Sequence, residues 1–450
     1  MDKSSLQRDS FGSKFGVIAA AAGSAIGLGN IWKFPYITGV YGGAAFIVVY
    51  LICIVLIGFP LMLSEFLIGR KAQKNAIGAF KKLAPNTPWF LTGWIGVAAA
   101  FVILSFYGVV AGWCMEYIFK AAANTFAGQS PDQIGGIFGG FISSASKPIF
   151  WQIAFMALTA WIVVAGIKDG IEKYSKVLMP MLLVIIIILD IRAITLPGAE
   201  DGLAFLFKPD WSKITGEAVL AALGHAFFSL SLGMGTMITY GSYISKKENL
   251  GETAIQVTIA DTSIALLAGI AIFPAVFAFG IEPNVGPGLV FVTLPNVFQQ
   301  MPYGHVFGIL FFVLLAVAAL TSSISILEVV VAYFAEDLKM SRKKATIIAA
   351  LIITVIGIFC SLSNGPLAEA KLFGLAFMDL LIWCSDNLLL PLGGLFITLF
   401  AGWYMKRSSV EEEVKAEGVK AGYFGAFIFL TKFVAPILIA LVFLNGIGLL

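Results

Sequence analysis

The sequence predicts an all-α polytopic membrane protein of about eleven transmembrane helices, a 5+5 inverted-repeat fold with unwound helices one and six. Three observations predict it. The 450 residues are 59% hydrophobic and 12% charged, with a mean hydropathy of +0.94. A soluble domain carries about twice that charged fraction. Apolar runs long enough for a bilayer core, about 20 residues each, recur along the whole chain. Two of these runs, five apart in order, contain Gly-X-Gly beside polar residues at membrane depth, at Gly27-Leu28-Gly29-Asn30 and at Gly233-Met234-Gly235.

Taken in order, the spanning candidates lie at 15–36, 42–69, 90–120, 150–167, 174–194, 216–242, 252–279, 304–335, 345–361, 373–402 and 422–446. Several exceed the length of a perpendicular crossing, so tilt or kinks are expected. The chain reads as one transmembrane domain, 1–450, with repeat one at about 10–195, repeat two at about 214–403 and an extra helix at about 420–446. Alternate loops are basic. They hold Lys3, Arg8 and Lys14; Arg70, Lys71, Lys74, Lys81 and Lys82; Lys168, Lys173 and Lys176; Lys246 and Lys247; Lys339, Arg342, Lys343 and Lys344; and Lys406, Arg407, Lys415 and Lys420. Together these are 21 of the 29 basic residues, whereas 281–303 has none. The positive-inside rule then places the N-terminus in the cytoplasm and, with an odd helix count, the C-terminus outside.

The first run, Phe15 to Pro35, cannot be a plain helix. Each glycine weakens a helix by roughly 1 kcal/mol relative to alanine. Asn30 follows at membrane depth, and Pro35 closes the stretch. Broken backbone in lipid leaves peptide groups unpaired, each costing several kcal/mol. Protein, water, an ion or a substrate must satisfy them. The sixth run repeats the pattern in GHAFFSLSLGMGTMITYGSY, 224–243, where Ser229 and Ser231 precede the glycines. Broken helices at matching places in two halves point to an inverted repeat with the binding site at the interface. The alternative is that Gly23, Gly27 and Ser231 are small packing residues of helix contacts.

Other classes find less support. The four cysteines (Cys53, Cys114, Cys360, Cys384) lie in apolar segments without metal-ligand spacing, which reads as buried thiols. The first run is too long for a secretory signal and lacks a cleavage pattern. Only two histidines are present, His225 and His305, and no nucleophile–base spacing appears, so an enzyme is not expected. Trp32 stands where a dinucleotide fingerprint needs its third glycine. No nucleic-acid partner and no organic cofactor are expected, and the sequence specifies no oligomeric state.

GSAIGLGNIWKFP (23–35), YGGAAF (41–46), GFPLMLSEFLIGR (58–70), FFSLSLGMG (227–235) and LTSSISILE (320–328) resemble the neurotransmitter:sodium symporter family. The resemblance is to its prokaryotic amino-acid transporters, in particular those accepting several hydrophobic amino acids. It covers nearly the whole chain, although many relatives carry a twelfth helix. This family is itself a standard example of inverted repeats with broken helices, so that architecture is not an independent derivation.

The resemblance implies a sodium-coupled symporter that imports hydrophobic L-amino acids, aliphatic and aromatic, across a prokaryotic inner (plasma) membrane by alternating access. The substrate carboxylate would meet the amides of Leu28 and Gly29 at a half-helix N-terminus, with the hydroxyl of Tyr107. Its ammonium would meet carbonyls of Ala25, Phe228, Ser229 and the Ser231 region. Ile103, Phe228, Met234, Ser322 and Ile326 would line the side-chain pocket. Methionine is unbranched and adaptable, and Met234 stands where relatives often have an aromatic ring, which implies a broad range.

Two sodium ions are implied. The first would use Ala25, Asn30, Ser229 and the substrate carboxylate. On helix seven, Thr258-Ile259-Ala260-Asp261-Thr262-Ser263 departs from the asparagine of many relatives. Alignment puts Ala260 at that position and Asp261 beside it. A carboxylate at bilayer depth costs roughly 2.5–3.5 kcal/mol on insertion scales, so a functional partner is the default reading. Asp261 is assigned to the first sodium, and also as a replacement for the chloride of eukaryotic relatives. The second sodium would use Gly23, Ile26, Ala318, Thr321 and Ser322. The alternative for Thr321-Ser322-Ser323 is hydroxyls bonded back within their own helix.

Gates follow from the same resemblance. Tyr107 and Phe228 form an aromatic lid. Lys33 stands where relatives often have arginine, with Asp379 or Asp386 as partner and Asp379 favoured. Inside, Arg8 pairs with Glu336, with Phe11 as a plug and Tyr243 nearby. Gly170 and Pro180 match a helix-five motif that unwinds to hydrate the inner sodium site; a simple proline kink is the alternative. A membrane-embedded amino-acid sensor or channel without coupled transport is the competing function. Lipid surrounds the protein in either case.

Overall fold

The computed structural model describes residues 9–281, 286–416 and 421–450. Among them, nine helices are long and apolar enough to cross a membrane without interruption, and one bent pair makes a tenth. We number the spans in chain order. Span one is the bent pair, Lys14–Ala25 and Gly29–Val40, turned by 49°. Spans two to five are Ala44–Ala72, Phe90–Ala122, Lys147–Val164 and Ile167–Ile194. Span six consists of Gly216–Ser229 and Thr236–Gly241, each too short to cross alone. Spans seven to eleven are Leu250–Ala278, Gly304–Glu336, Arg342–Leu362, Phe377–Tyr404 and Phe424–Gly446. All eleven candidate runs therefore appear. The fifth begins seven residues earlier than its apolar run, because Lys168, Lys173 and Lys176 sit on the helix itself rather than in the loop before it.

Both breaks have local causes, and both fall at the glycine pairs. In span one, the helix stops at Ala25, the chain is irregular over 26–27, and Leu28, already helical, leads into the second half at Gly29. Asn30, expected within the break, lies in that second half. Its Oδ1 accepts the amide of Gly27 at 3.0 Å, so the side chain replaces a helical carbonyl and stops the unwinding. In span six, 230–235 lie between the halves. Ser231, Gly233 and Gly235 have φ of 54°, 81° and 76°. Left-handed backbone of this kind is cheap only for glycine, so the two glycines make the reversal and Ser231 bears the strain. The hydroxyl of Ser231 donates to the carbonyl of Ser24 at 2.8 Å across the interface.

Spans three and eight, 33 residues each, form the scaffold. In both, 78% of the apolar stretch is buried in protein, against 28% for span eleven at the periphery. The second half of span six lies against span two with no room for side chains between them. A Cβ on Gly69 would stand 2.0 Å from the carbonyl oxygen of Ile238. Span two then ends on Arg70, a buried guanidinium. Its Nε donates to Oε1 of Glu413 at 2.6 Å and its Nη1 to the carbonyl of Glu248 at 2.6 Å. Glu413 belongs to the short helix Arg407–Val414 between spans ten and eleven, so that helix is tied to span two.

Candidate functional site

The two breaks face each other, and polar side chains fill the space between them. Asn30 is fully buried. Its Nδ2 donates to Oδ1 of Asp261 at 2.7 Å, to the carbonyl of Asp261 at 3.1 Å and to the hydroxyl of Ser229 at 3.2 Å. Ser229 donates in turn to the Asp261 carboxylate, 3.0 Å from Oδ2. Three residues assigned to one sodium site thus converge from spans one, six and seven. Asp261 itself, not Ala260, takes the place beside Asn30. Asp261 is buried while Ala260 is half-exposed, because adjacent residues on a helix point about 100° apart and only one can face the break. Tyr50 of span two, unmarked by the sequence, reaches Ser229 with its hydroxyl at 3.4 Å.

The second cluster lies between span one and span eight. The Ser322 hydroxyl points at the carbonyls of Ile26, 3.2 Å away, and Gly23, 3.4 Å away. Those are carbonyls freed at the end of the first half-helix. Thr321 and Ser323 bond back within span eight, Thr321 to Ala318 at 3.1 Å and Ser323 to Ala319 at 2.8 Å. The triplet therefore divides between the two readings. Thr321 still borders the site, since its Cβ lies 3.2 Å from where a Cβ on Gly23 would be. Ser325, one turn along span eight, donates to the hydroxyl of Ser24 at 2.7 Å and closes the seam.

Around the amides of span one, Leu28 donates to the Tyr107 hydroxyl at 3.1 Å. Gly27 leaves no room for a side chain, for a Cβ there would stand 2.6 Å from the Ser322 hydroxyl and 2.8 Å from that of Tyr107. A cavity of about 410 Å³ opens above, lined by Leu28, Gly29, Lys33, Tyr107, Phe228 and Asp379 among others. Ile103, Ser231, Met234, Ser322 and Ile326 do not line it. They are buried. We call this cavity the vestibule; of the residues expected around the substrate side chain, Phe228 lines it.

At the vestibule wall, Lys33 pairs with Asp386 at 2.9 Å and sits 4.1 Å from the centre of the Phe228 ring. The sequence favoured Asp379, and the structure corrects this. Asp379 lines the vestibule, but Lys33 reaches the carboxylate two turns further along span ten. At the Lys-rich end, Phe11 stacks edge-on against Tyr240, with centroids 5.6 Å apart, and its amide donates to the carbonyl of Tyr243 at 3.3 Å. The Tyr243 hydroxyl donates to Oε1 of Glu328 at 2.7 Å. Arg342 pairs with the same carboxylate at 2.6 Å. Glu328 was not singled out from the sequence, although a carboxylate inside an apolar run is the same signal that marked Asp261, and Arg342 was read there only as a basic loop residue. Arg8 lies outside the described residues. Its expected partner Glu336 accepts the amide and Nδ2 of Asn75, each at 3.0 Å.

Glu65 is a further residue missed, on the same signal. It comes from span two, is fully buried, and its Oε1 accepts the amide of Gly233 at 2.7 Å. It satisfies a donor exposed by the break in span six. Gly170 and Pro180 lie in one continuous helix, span five, whose first six residues form wide π-type turns. The structure shows this segment wound.

Comparison with known proteins agrees with this geometry. The sequence profile of the sodium:neurotransmitter symporter family matches residues 8–133 and 142–449. The chain is 45% identical over 440 residues to an uncharacterized sodium-dependent transporter of Bacillus subtilis, YhdH, covering 97% of each. It is 37% identical to an uncharacterized sodium-dependent transporter of Haemophilus influenzae, covering 99% of this chain and 100% of that one. The crystal structure of MhsT in complex with L-phenylalanine superposes with a TM-score of 0.90 at 50% identity, covering 98% of this chain and 100% of that one. The fold is thus the 5+5 arrangement with interrupted helices one and six, in a multi-pass membrane protein. Both relatives are named as sodium-dependent transporters. With matching family profile, fold and paired helix breaks, the chain belongs to the sodium:neurotransmitter symporter family.

Proposed function

We propose that the chain imports hydrophobic L-amino acids, aliphatic and aromatic, together with two sodium ions by alternating access. The observation that carries this is the meeting of two broken helices around Asn30, Ser229 and Asp261. The first ion is assigned to the carbonyl of Ala25 with Asn30, Ser229 and Asp261. A substrate carboxylate beside it completes the oxygen shell and couples the two ligands, each raising the other's affinity. The second ion is assigned to the carbonyls of Gly23, Ile26 and Ala318 with Thr321 and Ser322. Leu28, Gly29 and Tyr107 hold the carboxylate, carbonyls of Ala25, Phe228, Ser229 and Ser231 the ammonium. Ile103, Phe228, Met234, Ser322 and Ile326 enclose the side chain.

The neighbour bound to L-phenylalanine supports an apolar substrate, and the unbranched Met234 supports a broad range. The outer gate is Tyr107, Phe228, Lys33 and Asp386. The inner gate holds Phe11, Tyr243, Glu328 and Arg342, at the cytoplasmic end by the distribution of basic loops. The repeats are assigned to about 10–195 and 214–403, with the C-terminus outside.

Uptake into proteoliposomes tests this. An inward sodium gradient is expected to concentrate labelled leucine. Unlabelled phenylalanine and tryptophan should compete, and glycine and glutamate should not. Equilibration without accumulation would instead favour a channel, and sodium-dependent binding without flux a sensor.

A further inference from the structure

We propose that Glu172 is the latch holding the cytoplasmic half of span one closed, and that the distorted start of span five carries this latch. The inference rests on the alternating-access reading above. The amide of Gly12 donates to Oε2 of Glu172 at 2.6 Å, and the hydroxyl of Ser13 donates to Oε1 at 2.9 Å. Lys176, one turn on, pairs with the same carboxylate at 2.5 Å. Ser13 is the residue that caps Lys14–Ala25, accepting the amide of Gly16 at 3.0 Å. The carboxylate therefore meets the end of span one that has unpaired amides and partial positive charge. Glu172 is 2% exposed. Gly16 faces it so closely that a Cβ would lie 2.2 Å from Oε1. A side chain there would push the carboxylate away from the helix.

The position of Glu172 in its own helix gives the contact its meaning. Span five starts after Gly166, at φ of 97°, and runs through π-type turns over Ile167–Glu172. Such turns are frequent at functional sites. Seven residues further, Met179 reaches span one again, its sulfur 3.4 Å from where a Cβ on Gly23 would be, and Pro180 follows. Gly23 supplies one of the carbonyls assigned to the second sodium. Span five thus touches span one at its cytoplasmic tip through Glu172 and at the ion site through Met179. Rewinding of 167–172 withdraws the carboxylate from Gly12 and Ser13 and shifts the cover over Gly23 in the same movement. Glu172 is a positioning residue: it touches no substrate or ion, and acts through span one.

Thiol accessibility tests the latch. A reporter is introduced by Ala20→Cys in span one, with Cys384→Ser removing the half-buried native thiol. The buried Cys114 serves as internal control. In proteoliposomes, sodium is expected to slow labelling of the reporter by a membrane-impermeant maleimide from the cytoplasmic side. Adding Glu172→Ala should raise that labelling rate in sodium at least about tenfold, the scale of one lost hydrogen bond to a charged group. Glu172→Gln, which keeps one acceptor oxygen and removes the charge, and Ser13→Ala, which removes one donor, should fall between. The half-saturating sodium concentration of uptake should rise several-fold in the order Ser13→Ala, Glu172→Gln, Glu172→Ala, with a smaller change in maximal rate. If Glu172→Ala does not fold, the two milder variants decide: labelling equal to the parent in both overturns the latch. Equal acceleration at Cys114 also overturns it, because that marks a loosened fold. A parent whose reporter is indifferent to sodium overturns the alternating-access reading and the latch together. A sodium-protected parent with unchanged variants overturns the latch alone.

Discussion

At the scale of single residues, Asp261 matters most. It is buried, and its carboxylate meets the Asn30 amide, the Ser229 hydroxyl and the proposed ion. Hydrogen bonds to charged groups contribute about 1.5–3 kcal/mol. Asp261→Asn should therefore raise the half-saturating sodium concentration by about tenfold to hundredfold, at 1.4 kcal/mol per decade. If the carboxylate stands in for chloride, the same variant should gain stimulation by chloride over gluconate. Sodium titrations of leucine binding in the two anions check both, and an unchanged sodium requirement counts against the assignment. Lys33 and Asp386 are different in kind. Their side chains are 33% and 25% exposed, and such pairs contribute at most about 1 kcal/mol. They trim the gate rather than hold it shut. Their pairing also shows where sequence reasoning stops. Asp379 and Asp386 are seven residues apart, almost two full helical turns, so they fall on nearly the same face. Periodicity does not separate them; only the depth of Lys33 does.

At the scale of elements, the interrupted helices depend on side chains brought from elsewhere. Glu65 from span two holds the amide of Gly233, and Ser231 holds the carbonyl of Ser24. The glycine pairs made the breaks legible in sequence, but not which groups would satisfy them, because those partners are 168 and 207 residues away in the chain. Span two is secured at its far end by Arg70 and Glu413, both buried. Removing one partner of a buried pair leaves an uncompensated charge and costs about 3–5 kcal/mol. Arg70→Met should lower the midpoint of thermal unfolding markedly, and Arg70→Met with Glu413→Leu should recover part of the loss. A midpoint unchanged by the single substitution contradicts the clamp. In span five, Pro180 removes an amide donor from the middle of a helix that spans 28 residues. If this weak point serves winding changes, Pro180→Ala should slow release of bound sodium and lower turnover while leaving substrate affinity within about twofold. Pre-steady-state charge movement measures the first, and an unchanged release rate leaves the proline as a mere kink.

At the scale of the whole molecule, the proposed work is electrical as well as chemical. Moving one charge through 100 mV yields about 2.3 kcal/mol. Two sodium ions with a neutral zwitterion gain roughly 4.6 kcal/mol, enough for roughly thousandfold accumulation before any sodium gradient. Imposing an inside-negative potassium diffusion potential should therefore raise steady-state leucine accumulation steeply, and an accumulation indifferent to voltage would contradict net charge movement. The scaffold for this is the pair of long buried spans three and eight, against which the broken spans can move. The sequence by itself determined the class, the number and order of the spans and the two interrupted helices. Bilayer thickness, helix propensity and the penalty for unpaired peptide groups act locally and are written in composition and spacing. Only the tertiary structure decided that Lys33 takes Asp386 rather than Asp379, that Ser322 rather than Thr321 reaches across to span one, and that Glu65 and Glu172 accept from the backbone of the broken helices. Each of those choices depends on how one helix is rotated and shifted against another, and that depends on packing between residues far apart in the chain.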